Sequence, residues 1–195
     1  DECSICHMPM SRFESKLAGH EGAVFARLGF LPDNREDKLA ADGVSCVLCH
    51  QIGKDKLGTR ESFVGGFTIA PPNAQGDRMS FGPYIPTEGQ TTIMRTSTGG
   101  FIPAESTHLA ESEVCATCHT LLTKALGPDN KAIGEFPEQV PYHEWLHSEF
   151  KQTRSCQSCH MQEIQEEVAI TTLLGVPRSR VSRHNFPGGN LRGNL

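Results

Sequence analysis

Apolar residues keep a helical spacing in several stretches of this chain and lose it in one long one. Residues 10–28 and 36–50 alternate apolar and charged positions with a period near 3.6, so two helices are expected, the second running into Cys46. From Ser106 the helical period returns. Ser106 or Thr107 stands as the N-cap, and Glu111 and Glu113 sit where a helix dipole favours negative charge. Further helices are expected over 138–151 and 155–168, before Gly175 and Pro177 open a glycine- and proline-rich tail. Between these lies an insert, residues 51–104, with nine glycines and five prolines, in which no helical period survives. Its apolar residues (Phe63, Val64, Phe67, Ile69, Phe81, Tyr84 among them) argue against disorder, so it reads as a long ordered loop with one or two short hairpins. The fold class expected is therefore mostly α with long irregular Gly/Pro-rich loops, in a single domain over 1–195 that includes the insert 51–104 and a basic tail 175–195.

The cysteines change this picture. All eight belong to four copies of one pentapeptide: Cys3-Ser4-Ile5-Cys6-His7, Cys46-Val47-Leu48-Cys49-His50, Cys115-Ala116-Thr117-Cys118-His119 and Cys156-Gln157-Ser158-Cys159-His160. Cys-x-x-Cys-His is the attachment pattern for c-type haem, in which two thiols bond one porphyrin and the next histidine lies under the iron. Four covalent c-type haems are expected, with His7, His50, His119 and His160 as proximal ligands. Two zinc sites built from paired Cys-x-x-Cys units would leave the histidine after every second cysteine unexplained. A disulfide framework is unnecessary in a chain of 195 residues. A thioredoxin-like motif needs a βαβ setting, and no such alternation is read here. Haem would also make up for a hydrophobic content of only 37%, giving a haem-dominated core.

Nine histidines are present, so five remain for four distal positions. His108, seven residues before Cys115, can project toward a neighbouring haem. His20 follows the first motif closely, and His184 is held in a turn-rich segment. His143 and His147 share one helix face with spacing i, i+4. His147 is the favoured ligand of the two, with His143 left for a propionate or solvent. The distal set expected is thus His20, His108, His147 and His184, and bis-histidine iron has no open site. Met8, Met10 and Met161 follow proximal histidines too closely to cross the same haem and pad its edge. Met79 and Met94 are rival ligands in the insert.

Covalent haem attachment occurs outside the cytoplasm, so a periplasmic or extracellular location is expected, with the export signal already removed ahead of Cys3. No apolar run approaches the 18 residues of a membrane span. Formal charge is −5, and four ferric haems bring it to about −9, which favours basic protein partners and excludes nucleic acid. Against that trend, residues 168–195 carry Arg178, Arg180, Arg183 and Arg192 and no acid, a stretch expected to meet a partner or another copy.

Several phrases beyond the pentapeptides resemble a known group: Gly43-Val44-Ser45-Cys46, His108 ahead of Cys115, Glu135-Phe136-Pro137-Glu138-Gln139-Val140-Pro141-Tyr142, Glu144-Trp145, and Met161 after His160. Together they resemble multihaem cytochromes of the cytochrome c-554 superfamily, which takes in the haem domains of hydroxylamine oxidoreductase and pentahaem nitrite reductase. The resemblance implies a mostly helical, cofactor-dominated fold with closely spaced haem pairs. The family's Trp-x-x-Ser-x-His pattern, whose histidine is a ligand, is broken here: Trp145 is followed by His147 and Ser148, and Phe150 takes the last position. The ending from Arg183 to Asn190 resembles members whose chain continues, so a fragment or a compact version is expected.

Three functions follow from a saturated tetrahaem chain. An electron carrier between redox partner proteins is the first. A subunit of a polymeric extracellular filament of copies of this chain is the second. The third, a multihaem oxidoreductase, needs one open iron and a proton-handling neighbour, and the sequence singles out no such constellation.

Overall fold

The structure, a computed structural model, describes residues 3–21 and 35–188. The chain is not mostly α. Of the described residues only 36% is helical and 18% is strand, arranged as eight short helices and two sheets, which overturns the helix-rich, haem-dominated multihaem cytochrome c fold expected. The helices are α1 (Cys3–His7), α2 (Pro9–Leu17), α3 (Arg35–Ala41), α4 (Cys46–Cys49), α5 (Glu88–Thr98), α6 (Ser112–Ala116), α7 (Pro141–Leu146) and α8 (Cys156–His160). The strands are β1 (Arg78–Gly82), β2 (Phe101–Glu105), β3 (Leu121–Leu126) and β4 (Ala132–Gln139).

The helices end early for local reasons. The stretch 36–50 breaks at Asp42-Gly43, where Gly43 takes φ 63° after α3, and a separate single turn, α4, carries the second pentapeptide. The expected helix over 138–151 starts only at Pro141, whose fixed φ suits the first helical position, and stops at His147. Residues 138–139 belong instead to β4. The helix expected over 155–168 is α8 alone, because Met161 leaves the helical region and Glu163 and Val168 form isolated bridges to Ser182 and Arg178. Of the helix expected over 10–28, α2 is observed and residues 22–34 lie outside the described residues.

The insert holds the longest helix described. Thr87 and Gln90 form a capping box around the start of α5: the Gln90 amide donates to Thr87 Oγ1 (3.3 Å) and the Thr87 amide to Gln90 Oε1 (2.9 Å). Gly99 closes α5 at φ 71°, ψ 36°, a left-handed cap that glycine adopts without strain. Strands β1 and β2 flank this helix and pair in parallel, Arg78 opposite Phe101 and Gly82 opposite Glu105. The insert is therefore a βαβ crossover rather than hairpins. It contains no cysteine, so it gives a thioredoxin-like reading no support. Arg95 of α5 ties the unit together through Asp77 (2.8 Å), and this contact, helped by Asn73, holds the Asp77 carboxyl below its usual range. Thr87→Ala should unfold α5 locally at a cost of about 1 kcal/mol. The check is faster amide exchange over residues 88–92 with the rest of the chain unchanged; uniform exchange would show that the cap contributes nothing.

The hairpin is elsewhere. Strands β3 and β4 pair antiparallel around Gly127-Pro128-Asp129-Asn130, with Asn130 at φ 59°. Every residue of β4 is exposed, and the Arg60 guanidinium holds Glu135 of β4 to the insert.

Apolar packing is sparse. Among the described residues the buried apolar side chains are Met8, Ala40, Leu48, Ile52, Ala116 and Tyr142. The accessible surface is 13,389 Å², against the about 9,100 Å² that a folded protein of this mass exposes. Leu17, Val47, Ile85, Phe136, Phe150 and Phe186 are among the large side chains left in the open. No helix among the described residues is long and apolar enough to cross a membrane.

Candidate haem site

Each pentapeptide lies on or just past one turn of helix, so the cysteines at i and i+3 fall on one side of it. All eight thiols are free of disulfides. Thiols of different motifs approach one another: Cys6 shares a hydrogen bond with Cys118, and Cys115 with Cys156. Cys118 is lowered to about 7 by its bond with Cys6, and Cys156 to about 6 by its bond with Cys115, while Cys6 and Cys115 are pushed up by the same bonds and by burial. Burial also raises Cys49, with the Cys118 charge adding to it. The third motif is thus the hub that the other three adjoin. Its Thr117 and Thr120 carbonyls also accept the amides of Gly65 (2.6 Å) and Val64 (3.2 Å). Gly65, at φ 72°, lies so close to Ile5 of the first motif that a Cβ would stand 1.7 Å from Ile5 Cγ2. Cys3, Cys46 and Cys159 are exposed. No group of three or more acidic, cysteine or histidine side chains that could hold a bare metal ion converges among the described residues.

The histidines divide by what their ring nitrogens meet. His50 donates from Nδ1 to the Phe81 carbonyl (2.6 Å), and the Phe81 amide returns a bond to the His50 carbonyl (2.7 Å). His160 donates from Nδ1 to the Pro187 carbonyl (2.8 Å). A histidine held this way has its Nε2 lone pair free and aimed, the arrangement that suits a metal-binding imidazole. His184 donates from Nδ1 to the Ser182 carbonyl (3.1 Å), and its ring centre lies 6.2 Å from that of His50 with 29° between the planes. Desolvation, and then the nearby His160, lower the pKa of His119. His7 and His20 are exposed at the ends of the α1–α2 segment.

His108 is different. It is 5% exposed, Nδ1 accepts from Ser106 Oγ (2.5 Å), and Nε2 donates to the Ile52 carbonyl (2.7 Å). Both nitrogens are occupied and the Phe81 ring packs edge-on at 5.2 Å, so this packing leaves no lone pair for an iron. His108 works here as a buried strut between the 3-10 turn at 107–110 and the segment after α4. His147 is exposed at the C-cap of α7, its Nδ1–H donating to the His143 carbonyl (2.7 Å). Of the methionines, Met8 is buried, and Met10 accepts from Ser45 Oγ (2.6 Å), tying α2 to α4.

The donor set of paired free thiols, an adjoining histidine and a carbonyl-anchored Nδ1 fits c-type haem at the second and fourth motifs. Two fixing residues, Phe81 and Pro187, were not expected, because neither side chain is involved; each supplies only a backbone carbonyl. In the arginine tail, expected to meet a partner, two side chains and one backbone amide make contacts within the chain. Arg178 lies over the Tyr84 ring (4.2 Å), Arg180 pairs with Glu163 (3.3 Å), and the Arg183 amide donates to the Gln162 carbonyl (3.0 Å). Arg192 lies outside the described residues.

No known protein family, curated relative or solved structure matches the chain.

Proposed function

We propose that this chain is an electron-transfer protein that carries single electrons on four covalently bound c-type haems, and that its likeness to the cytochrome c-554 superfamily reflects that role. The observation that carries the reading is the facing pair His50 and His184. Two histidines this close could hold one iron between them through their Nε2 atoms. Their ring centres are 6.2 Å apart, and each Nδ1 is already committed to a carbonyl. Cys3 and Cys6, Cys46 and Cys49, Cys115 and Cys118, and Cys156 and Cys159 would hold the porphyrins, with His7, His50, His119 and His160 as proximal ligands.

When bound, the haems supply one-electron iron chemistry at a potential lowered by two nitrogen ligands. The protein does the rest. Phe81 and Pro187 orient two proximal rings, and His184 closes the far side of one site against small molecules. Closure of that kind suits a carrier rather than a catalyst. The acidic surface suits basic redox partner proteins, and covalent attachment suits an exported, periplasmic or extracellular protein.

The test is denatured mass and ligand binding on protein from an exporting host. A mass greater than the polypeptide by four haems, with carbon monoxide bound at no more than one iron after reduction, is the result expected. Carbon monoxide bound at two or more irons would replace the carrier with a multihaem oxidoreductase, and a haem-free mass would overturn both.

A further inference from the structure

We propose that His143, and not His147, supplies an axial nitrogen to one of the haem irons; this rests on the haem reading above. Two histidines on α7 compete for the role, and their surroundings differ sharply. Nε2 of His143 is buried and has no hydrogen-bond partner among the described residues. A buried imidazole nitrogen is almost always satisfied, by protein or by water, because leaving it bare forfeits its hydration. The ring is walled by Phe63, edge-on at 5.4 Å, and by Tyr142 at 6.0 Å and 84°.

The ring is also held in place. Tyr142 is 4% exposed, stacks on Trp145 at 5.7 Å, and donates its hydroxyl to Glu113 (3.2 Å). Trp145 in turn donates Nε1–H to the Arg154 carbonyl (2.7 Å). A buried, unpaired nitrogen on a ring so closely packed could offer its lone pair to an iron. His143 also sits where haems are expected. The Tyr142 amide donates to the carbonyl of His119, the third proximal histidine (3.3 Å). Phe63 leads into the Val64–Gly65 segment that is bonded to Thr117 and Thr120 and packed on Ile5. His147 also has its Nδ1 anchored, on the His143 carbonyl, but it is exposed at the end of α7 and neither of its nitrogens is buried without a partner.

The test uses holoprotein of the parent, His143→Ala, His147→Ala and His143→Met, each confirmed by mass to carry four haems. Electron paramagnetic resonance and carbon monoxide titration are the readouts. His143→Ala should convert one iron per chain to high spin and bind one equivalent of carbon monoxide, and added imidazole should restore the low-spin signal. His147→Ala should match the parent. His143→Met, which keeps side-chain bulk and offers a thioether, should stay low-spin with one potential raised. It decides the matter if the alanine variant fails to fold.

A low-spin His143→Ala, a high-spin His147→Ala, or a His143→Met indistinguishable from the parent would each overturn the assignment while leaving the electron-carrier reading intact. A parent without covalent haem would remove the reading itself.

Discussion

Changing Cys115 and Cys118 together to alanine is expected to lower the haem count by one and to cost the protein far more stability than the same change at Cys3 and Cys6. The third motif is the point where the others meet: Cys118 bonds Cys6, Cys115 bonds Cys156, and Cys49 feels the Cys118 charge. Its Ala116, Thr117 and Thr120 are almost wholly buried in a chain with very few buried apolar groups. Removing a cofactor from the hub leaves neighbours on several sides without a wall, whereas α1 lies at the start of the chain with Cys3 and His7 exposed. Binding of a group to the folded state alone is folding free energy. A loss of about 5 kcal/mol at the hub corresponds to a fall of roughly 10–20 °C in Tm for a chain of this size. Mass and thermal melts of the two double variants check this, and equal melting would show that the third motif is no hub.

His184→Ala is expected to open one iron and leave the fold alone. The residue is exposed, and its ring meets His50, Phe186 and the Ser182 carbonyl, so truncation removes little packing. One high-spin iron per chain should appear, with one equivalent of carbon monoxide bound on reduction and a midpoint potential shifted for that iron alone. Phe81 offers a control. Its carbonyl anchors His50 from the other side, and a backbone contact survives side-chain change, so Phe81→Leu should keep the parent's spectrum. A His184→Ala protein with the parent's spectrum would mean that His50 draws its partner from elsewhere.

Legibility along the chain followed the range of the interaction. The capping box at Thr87 and Gln90 and the left-handed Gly99 are local signals of a helix, and they lay in plain view. The density of glycine and proline around them hid α5, because composition averaged over 51–104 outweighed three well-placed residues. The β3–β4 hairpin had its own mark in Pro128-Asp129-Asn130, set between two apolar runs. Its exposed β4 face, though, has none of the alternation that a half-buried strand displays.

The ligands divide the same way. Thioether attachment is chemistry within five residues, so the sequence by itself marked eight cysteines and four histidines as candidates for holding four haems. It also set the charge balance and the shortage of apolar side chains. A distal ligand is decided by which ring nitrogen is left free, and that depends on groups far away in the chain. Ile52 reaches across 56 residues to occupy His108, the ligand that spacing favoured. Phe63, some 80 positions before His143, shields the nitrogen that spacing had passed over. Spacing along a helix reports only which side chains share a face; only the tertiary structure decides whether a carbonyl, a ring or open space stands opposite, because that neighbour arrives from another segment.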